Sequence, residues 1–127
     1  MIVLDANVLI ALFDAADAHH AEAERLLLLE PCEPLAMSAL TLTEFLIRPT
    51  AVGRQQSAET FIGNVGIVVA PVLDDDAPHL ARLRAETGLK LPDVVVLWLA
   101  QSSSARLMTL DARLAEAADD AGIEAVR

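Results

Sequence analysis

Five short strand-type runs punctuate this chain, at 2–4, 35–37, 67–69, 106–110 and 123–126, the first three wholly apolar, with helix-type patterning between them. Runs so short cannot bury themselves, and apolar residues at every position suit a strand covered on both faces. Strand-type runs alternating with helices predict an α/β domain, layered α/β/α, around a central and mainly parallel sheet of four to five strands. The helices read at 7–13, at 20–29, from Thr41 to a stop at Pro49, and at 54–64. The Asp74-Asp75-Asp76 run before Pro78 marks another helix start, closed by Gly88, and Pro92 opens a helix over 92–102. After Asp111, Leu114, Ala117, Ala118 and Ala121 recur on one helical face up to Gly122.

The chain has 127 residues, which predicts one domain over 1–127. Hydrophobic residues make up 54% and aromatic residues 3%, with no Tyr, so the core has to be built from Leu, Val, Ile and Ala. That apolar share also hints at surface reserved for a partner or a second copy. The formal net charge of -10 excludes a protein that holds nucleic acid by its global field. Any nucleic-acid role must rest on bound metal or local arginines, and the acidity favours a basic protein partner. Cys32, the single cysteine, lies in an acidic loop and reads as inert. The first strand meets Asp5 at once and the run 94–100 is too short to span a bilayer, so no leader and no membrane span are predicted, and the expected location is cytoplasmic.

In parallel sheets ligands bind beyond the carboxyl ends of the strands. Asp5 follows the first strand, Ser38 the second, and Asp111 the fourth. Glu44 lies one turn into its helix and Asp93 in the first turn of its own. Each has an ordinary alternative. Asp5 and Asp111 suit helix N-caps, Thr41-Leu42-Thr43-Glu44 suits a capping box, and Asp93 suits a helix dipole. Together, four carboxylates at one edge would repel one another, and a hard divalent cation relieves that. One ion halves their formal charge and two cancel it, so one or two are allowed. Asn7 and Thr109 can add neutral oxygens, and Ser38 can orient a carboxylate or a water on the metal. His19, His20 and His79 read as surface or supporting residues, and the 74–76 acids as a solvated cap.

Four segments taken in order resemble the PIN-domain ribonucleases, specifically the VapC-type toxins of bacterial toxin–antitoxin pairs. They are Ile2-Val3-Leu4-Asp5-Ala6-Asn7-Val8-Leu9, Ser38-Ala39-Leu40-Thr41-Leu42-Thr43-Glu44-Phe45, Leu91-Pro92-Asp93-Val94-Val95, and Leu107-Met108-Thr109-Leu110-Asp111 with Arg113-Leu114. Trp98 departs from the small residues usual on that helix and reads as a packing or interface residue. The resemblance implies a Mg²⁺- or Mn²⁺-dependent endoribonuclease acting on tRNA or other structured or single-stranded RNA, leaving 5′-phosphate and 3′-hydroxyl ends. It also implies a cognate antitoxin over the site and a homodimer.

The mechanism expected on that basis has Asp5, Asp93 and Asp111 hold the metal directly or through water. Glu44 completes the set or serves as general base toward the attacking water. Arg48, Arg54 and Lys90 are the candidate phosphate contacts. Two other classes remain. A haloacid-dehalogenase-like phosphatase would also use an Asp after its first strand, but wants a second Asp where Asn7 stands. A non-catalytic acidic binding module would keep its acids as caps and ignore divalent metal.

Overall fold

A computed structural model describes residues 1–127. Its centre is one five-stranded sheet made of β1 (Ile2–Leu4), β2 (Leu35–Ser38), β3 (Val68–Ala70), β4 (Arg106–Met108) and β5 (Ala125–Val126). The spatial order is β3-β2-β1-β4-β5 and every neighbouring pair is parallel. The expected class therefore holds, with five strands. Seven helices join them: α1 (Ala6–Phe13), α2 (His20–Leu28), α3 (Ala39–Ala51), α4 (Gln55–Val65), α5 (Ala77–Thr87), α6 (Leu91–Ser102) and α7 (Ala112–Asp120).

Alternation along the strands divides the core into two layers. Val3 and Leu107 face one cluster, filled by Leu80 and Leu83 of α5, the buried run of α6, and Leu114 and Ala118 of α7. Ile2, Leu4 and Met108 face the other, filled from α1 to α4 around Phe45 and Leu26. Asp74–Asp76 forms a single 3-10 turn leading into α5, and Gly88 ends that helix with φ 68°, a left-handed turn that favours glycine.

Several sequence boundaries are corrected. Helix α3 begins at Ala39 and is capped by Ser38, whose Oγ accepts the Thr41 backbone N–H at 3.0 Å. Thr41 is therefore inside the helix, and the capping box with Glu44 does not form. Pro49 does not stop α3, which continues to Ala51. Proline removes one N–H from the ladder, and a helix with little more than half a turn to run tolerates that loss. Strand β4 ends at Met108 because Thr109 turns toward Asp5. Strand β3 lies at the sheet edge and leaves Val68 64% exposed, so it is not covered on both faces as the apolar pattern suggested. His20 is half-buried, with Nδ1 2.7 Å from the Ala11 carbonyl oxygen and Nε2 3.3 Å from Glu24, which ties α2 to α1.

Trp98 is 6% exposed inside the α5–α7 layer, which makes it a packing residue. Trp98→Ala should cost about 3–5 kcal/mol of stability. Urea unfolding followed by circular dichroism, with the loss independent of protein concentration, checks this.

Candidate active site at the carboxyl edge of the sheet

The chain order reverses across β1. The path runs outward through β2 and β3, then returns to the far side of β1 as β4 and β5. The crevice of such a sheet opens where two neighbouring strands send their connections in opposite directions. Here that point lies between the ends of β1 and β4, which lead into Asp5 and into Thr109-Leu110-Asp111. The Asp5 N–H donates to the Met108 carbonyl at 3.0 Å, so the last strand-like bond of the pair sets Asp5 against the end of β4.

Asp5 occupies the N-cap position of α1, yet its side chain makes no capping hydrogen bond. It is 6% exposed and accepts the Thr109 hydroxyl proton at 2.7 Å. The same Thr109 oxygen accepts from the Asp111 N–H at 3.0 Å and from Asn7 Nδ2 at 3.3 Å. Asn7 Oδ1 in turn accepts the Leu110 N–H at 3.2 Å. Thr109 and Asn7, expected as neutral oxygen donors, are thus already engaged in fixing Asp5 and the turn after β4. Asp111 does cap, its Oδ1 accepting the Arg113 N–H at 2.8 Å, which leaves its other carboxylate oxygen for the site. Ser38 is fully buried, with its hydroxyl on Thr41, so it supports the start of α3.

Electrostatics bring the four acids together. Burial raises the Asp5 pKa, and the charges of Asp93 and Asp111 raise it further, against a lowering hydrogen bond from Thr109. Burial raises Glu44 as well, with Asp5 and Asp93 adding to it. Asp93 is raised by burial and by Asp111, and is partly offset by Lys90 and Arg113. Each of these three carboxyls feels at least one of the other acids through space, although the four lie in separate segments of the chain.

The donor set is all oxygen and carries excess negative charge, and no cation is among the groups acting on Asp5 or Glu44. That is the chemistry a hard divalent ion fits. As the side chains stand, no three acids converge closely enough to hold one ion.

Basic side chains ring this edge. Arg48 and Arg54 line a cleft of about 240 Å³ that also contains Glu44. Lys90 is the residue before α6 and Arg113 is in the first turn of α7. Sequence reasoning passed over Arg113 as a site residue. Its position two residues after Asp111 was the available signal, but helix direction decides where such a side chain goes. His19 and His79 are exposed, as expected.

The chain matches the PIN-domain family over residues 2–120. It belongs to the PIN-domain family. Similar solved structures come from toxin–antitoxin systems. The sarcin–ricin-loop-cleaving toxin VapC20 of Mycobacterium tuberculosis is 18% identical with a TM-score of 0.77, covering 92% of this chain and 95% of that one. A toxin–antitoxin complex from Klebsiella pneumoniae is 28% identical with a TM-score of 0.70, covering 87% of each chain. FitAcB of Neisseria gonorrhoeae is 18% identical with a TM-score of 0.74, covering 100% of this chain and 97% of that one. No curated protein sequence matches this PIN chain. No helix in it is long and apolar enough to cross a membrane.

The raised carboxyls carry a stability cost. A carboxyl whose folded pKa exceeds its unfolded value contributes stability below the unfolded value, and loses it as pH rises through the folded one. For Asp5 and Asp93 the window opens at the ordinary 3.8 and extends upward. Asp93→Asn and Asp5→Asn should therefore melt several degrees higher than the parent at pH 7 in chelator. The gain should shrink toward pH 4, as differential scanning calorimetry across that range would show. Thr109→Val should do the opposite, costing about 1–3 kcal/mol by leaving buried polar partners unpaired.

Proposed function

We propose that this protein is a metal-dependent endoribonuclease, the toxin of a type II toxin–antitoxin pair, acting on tRNA or other structured or single-stranded RNA. The observation that carries the reading is the set of four acids at the carboxyl edge of β1 and β4. Three of them have pKa values pushed up by burial and by one another. Asp5 begins α1 without a side-chain capping hydrogen bond. Membership of the PIN family, and neighbours drawn from toxin–antitoxin systems, support the same reading.

In this reading Asp5, Asp93 and Asp111, with Glu44 completing the set, hold one or two Mg²⁺ or Mn²⁺ ions. A divalent ion held there would supply Lewis-acid polarisation of the phosphodiester and a water of lowered pKa. Glu44, like Asp93, has no hydrogen-bonding neighbour acting on its carboxyl. Its raised pKa makes it a stronger base than an ordinary glutamate. Asp5 is locked by Thr109 and cannot turn away, so it supplies a fixed anchor. Arg48, Arg54 and Lys90 contact backbone phosphates. They offset an overall charge of -10 only locally, which predicts a short RNA footprint. A basic antitoxin segment covers the same acids, and two copies of the chain pair as a homodimer.

The test is cleavage of a labelled tRNA pool by purified protein with Mg²⁺, with Mn²⁺, and with chelator. Cleavage should require metal, and Glu44→Gln should slow it about 10²–10⁴-fold. Asp5→Ala should remove both cleavage and the rise in melting temperature on adding metal. Asp5→Ala cutting RNA normally would end the assignment. A phosphorylated Asp5 would favour the phosphatase class, and a melting temperature indifferent to metal would favour a binding module.

A further inference from the structure

The cleft beside Glu44 has a composition that phosphate binding alone does not explain. Its walls come from α1, α3 and the turn into α4, and they include Ile10, Phe13, Glu44, Arg48, Val52 and Arg54. At about 240 Å³ it falls below the ~300–1,000 Å³ of pockets for drug-sized ligands, and so suits a single ring system. Ile10 is 42% and Val52 57% exposed, so apolar side chains stand open at its mouth.

Phe13 is held rigidly. Its ring packs at 5.6 Å from Phe45 in an edge-to-face contact and at 5.4 Å from Phe61. The Arg54 guanidinium carbon lies 4.9 Å from the Phe13 centroid. A guanidinium held against a ring is ordered, and its outer face is a plane on which another ring can stack. Among the nine Lys and Arg residues only Arg25, Arg106 and Arg127 are ion-paired, so Arg48 and Arg54 keep their charge for a ligand. Glu44 belongs both to this cleft and to the acid cluster, so a group in the cleft sits directly beside the acids.

We propose that this cleft binds one unpaired nucleobase of the RNA, stacked on the Arg54–Phe13 pair, with Arg48 on the adjoining phosphate. The proposal rests on the ribonuclease reading and adds a base subsite to it. Stacking on aromatic or arginine planes requires a base free of its helix, so the subsite selects loops and single strands. The cation that orders the plane also attracts the backbone, so a stacked base and its phosphate are held together. An aliphatic side chain of a protein partner would use the apolar mouth and leave the guanidinium plane unused.

Three variants separate these terms. Arg54→Ala removes plane and charge, Arg54→Lys keeps charge without the plane, and Val52→Trp fills the cleft from an exposed position. Each is compared with the parent on a randomised single-stranded RNA pool, with product ends sequenced, and its fold is checked by circular dichroism. The parent should show a nucleotide bias at one position beside the cut. Arg54→Ala and Val52→Trp should flatten that bias and raise KM about tenfold with kcat little changed. Arg54→Lys should lose the bias but keep the salt dependence of binding. A parent that cuts RNA with the same bias and KM as all three variants would overturn the base subsite and leave the ribonuclease reading intact. A parent that neither cuts nor binds RNA would overturn both. Loss of protein-partner binding in the same variants, with cleavage and bias unaltered, would overturn the proposal in favour of a protein occupant.

Discussion

The molecule depends on β1 standing at the middle of a fully parallel sheet. Three residues, Ile2, Val3 and Leu4, are completely buried and pair with β2 on one side and β4 on the other. Parallel pairing forces every connection to cross a face of the sheet, so helices must cover both sides. It also sends all five carboxyl ends in one direction. With the strand order reversing at β1, the ends of β1 and β4 open onto a crevice. Asp5 stands there as the residue after β1, and Asp111 as the third residue after β4.

The acids then work against the fold that positions them. A carboxyl driven up in pKa by burial and by its neighbours is a group the folded chain would rather keep neutral, and its ionisation weakens the fold. Thr109 and the Ala6 backbone limit that cost at Asp5 by hydrogen bonding, and Lys90 and Arg113 limit it at Asp93 by their charge. Such tension between stability and a charged site is general where function needs groups the core would reject.

Charge is also sorted along the strand axis. At the amino ends of the strands Arg106 makes a bidentate contact with Glu30 at 2.8 and 2.7 Å, and lies near Glu33 and Glu124. That end is neutralised internally. At the carboxyl ends Arg48, Arg54, Lys90 and Arg113 have no ion-pair partner, beside acids that have none either. Opposite charges in reach of one another but unpaired form a surface suited to a phosphate chain and a cation together. A global charge of -10 hides this local arrangement.

The short apolar runs by themselves determined the class of fold. Nothing but a sheet covered on both faces can bury such runs at Ile2, Leu107 and Met37. The acids that follow them were placed at one edge by the rule that parallel sheets bind ligands beyond their carboxyl ends. Only the tertiary structure decided the rest. Strand order, and with it the pairing of Asp5 with Thr109, comes from contacts about a hundred residues apart, which no local pattern encodes. Ser38 and Thr41 are both acceptable caps by residue type, so the choice of Ser38 for α3, and the continuation of that helix past Pro49 to Ala51, became visible only in the structure. The exposure of β3 follows from its place at the sheet edge, which its β-branched sequence does not reveal. The stacking of Arg54 on Phe13 exists because α1, α3 and α4 meet, and a one-dimensional sequence carries no record of which helices will.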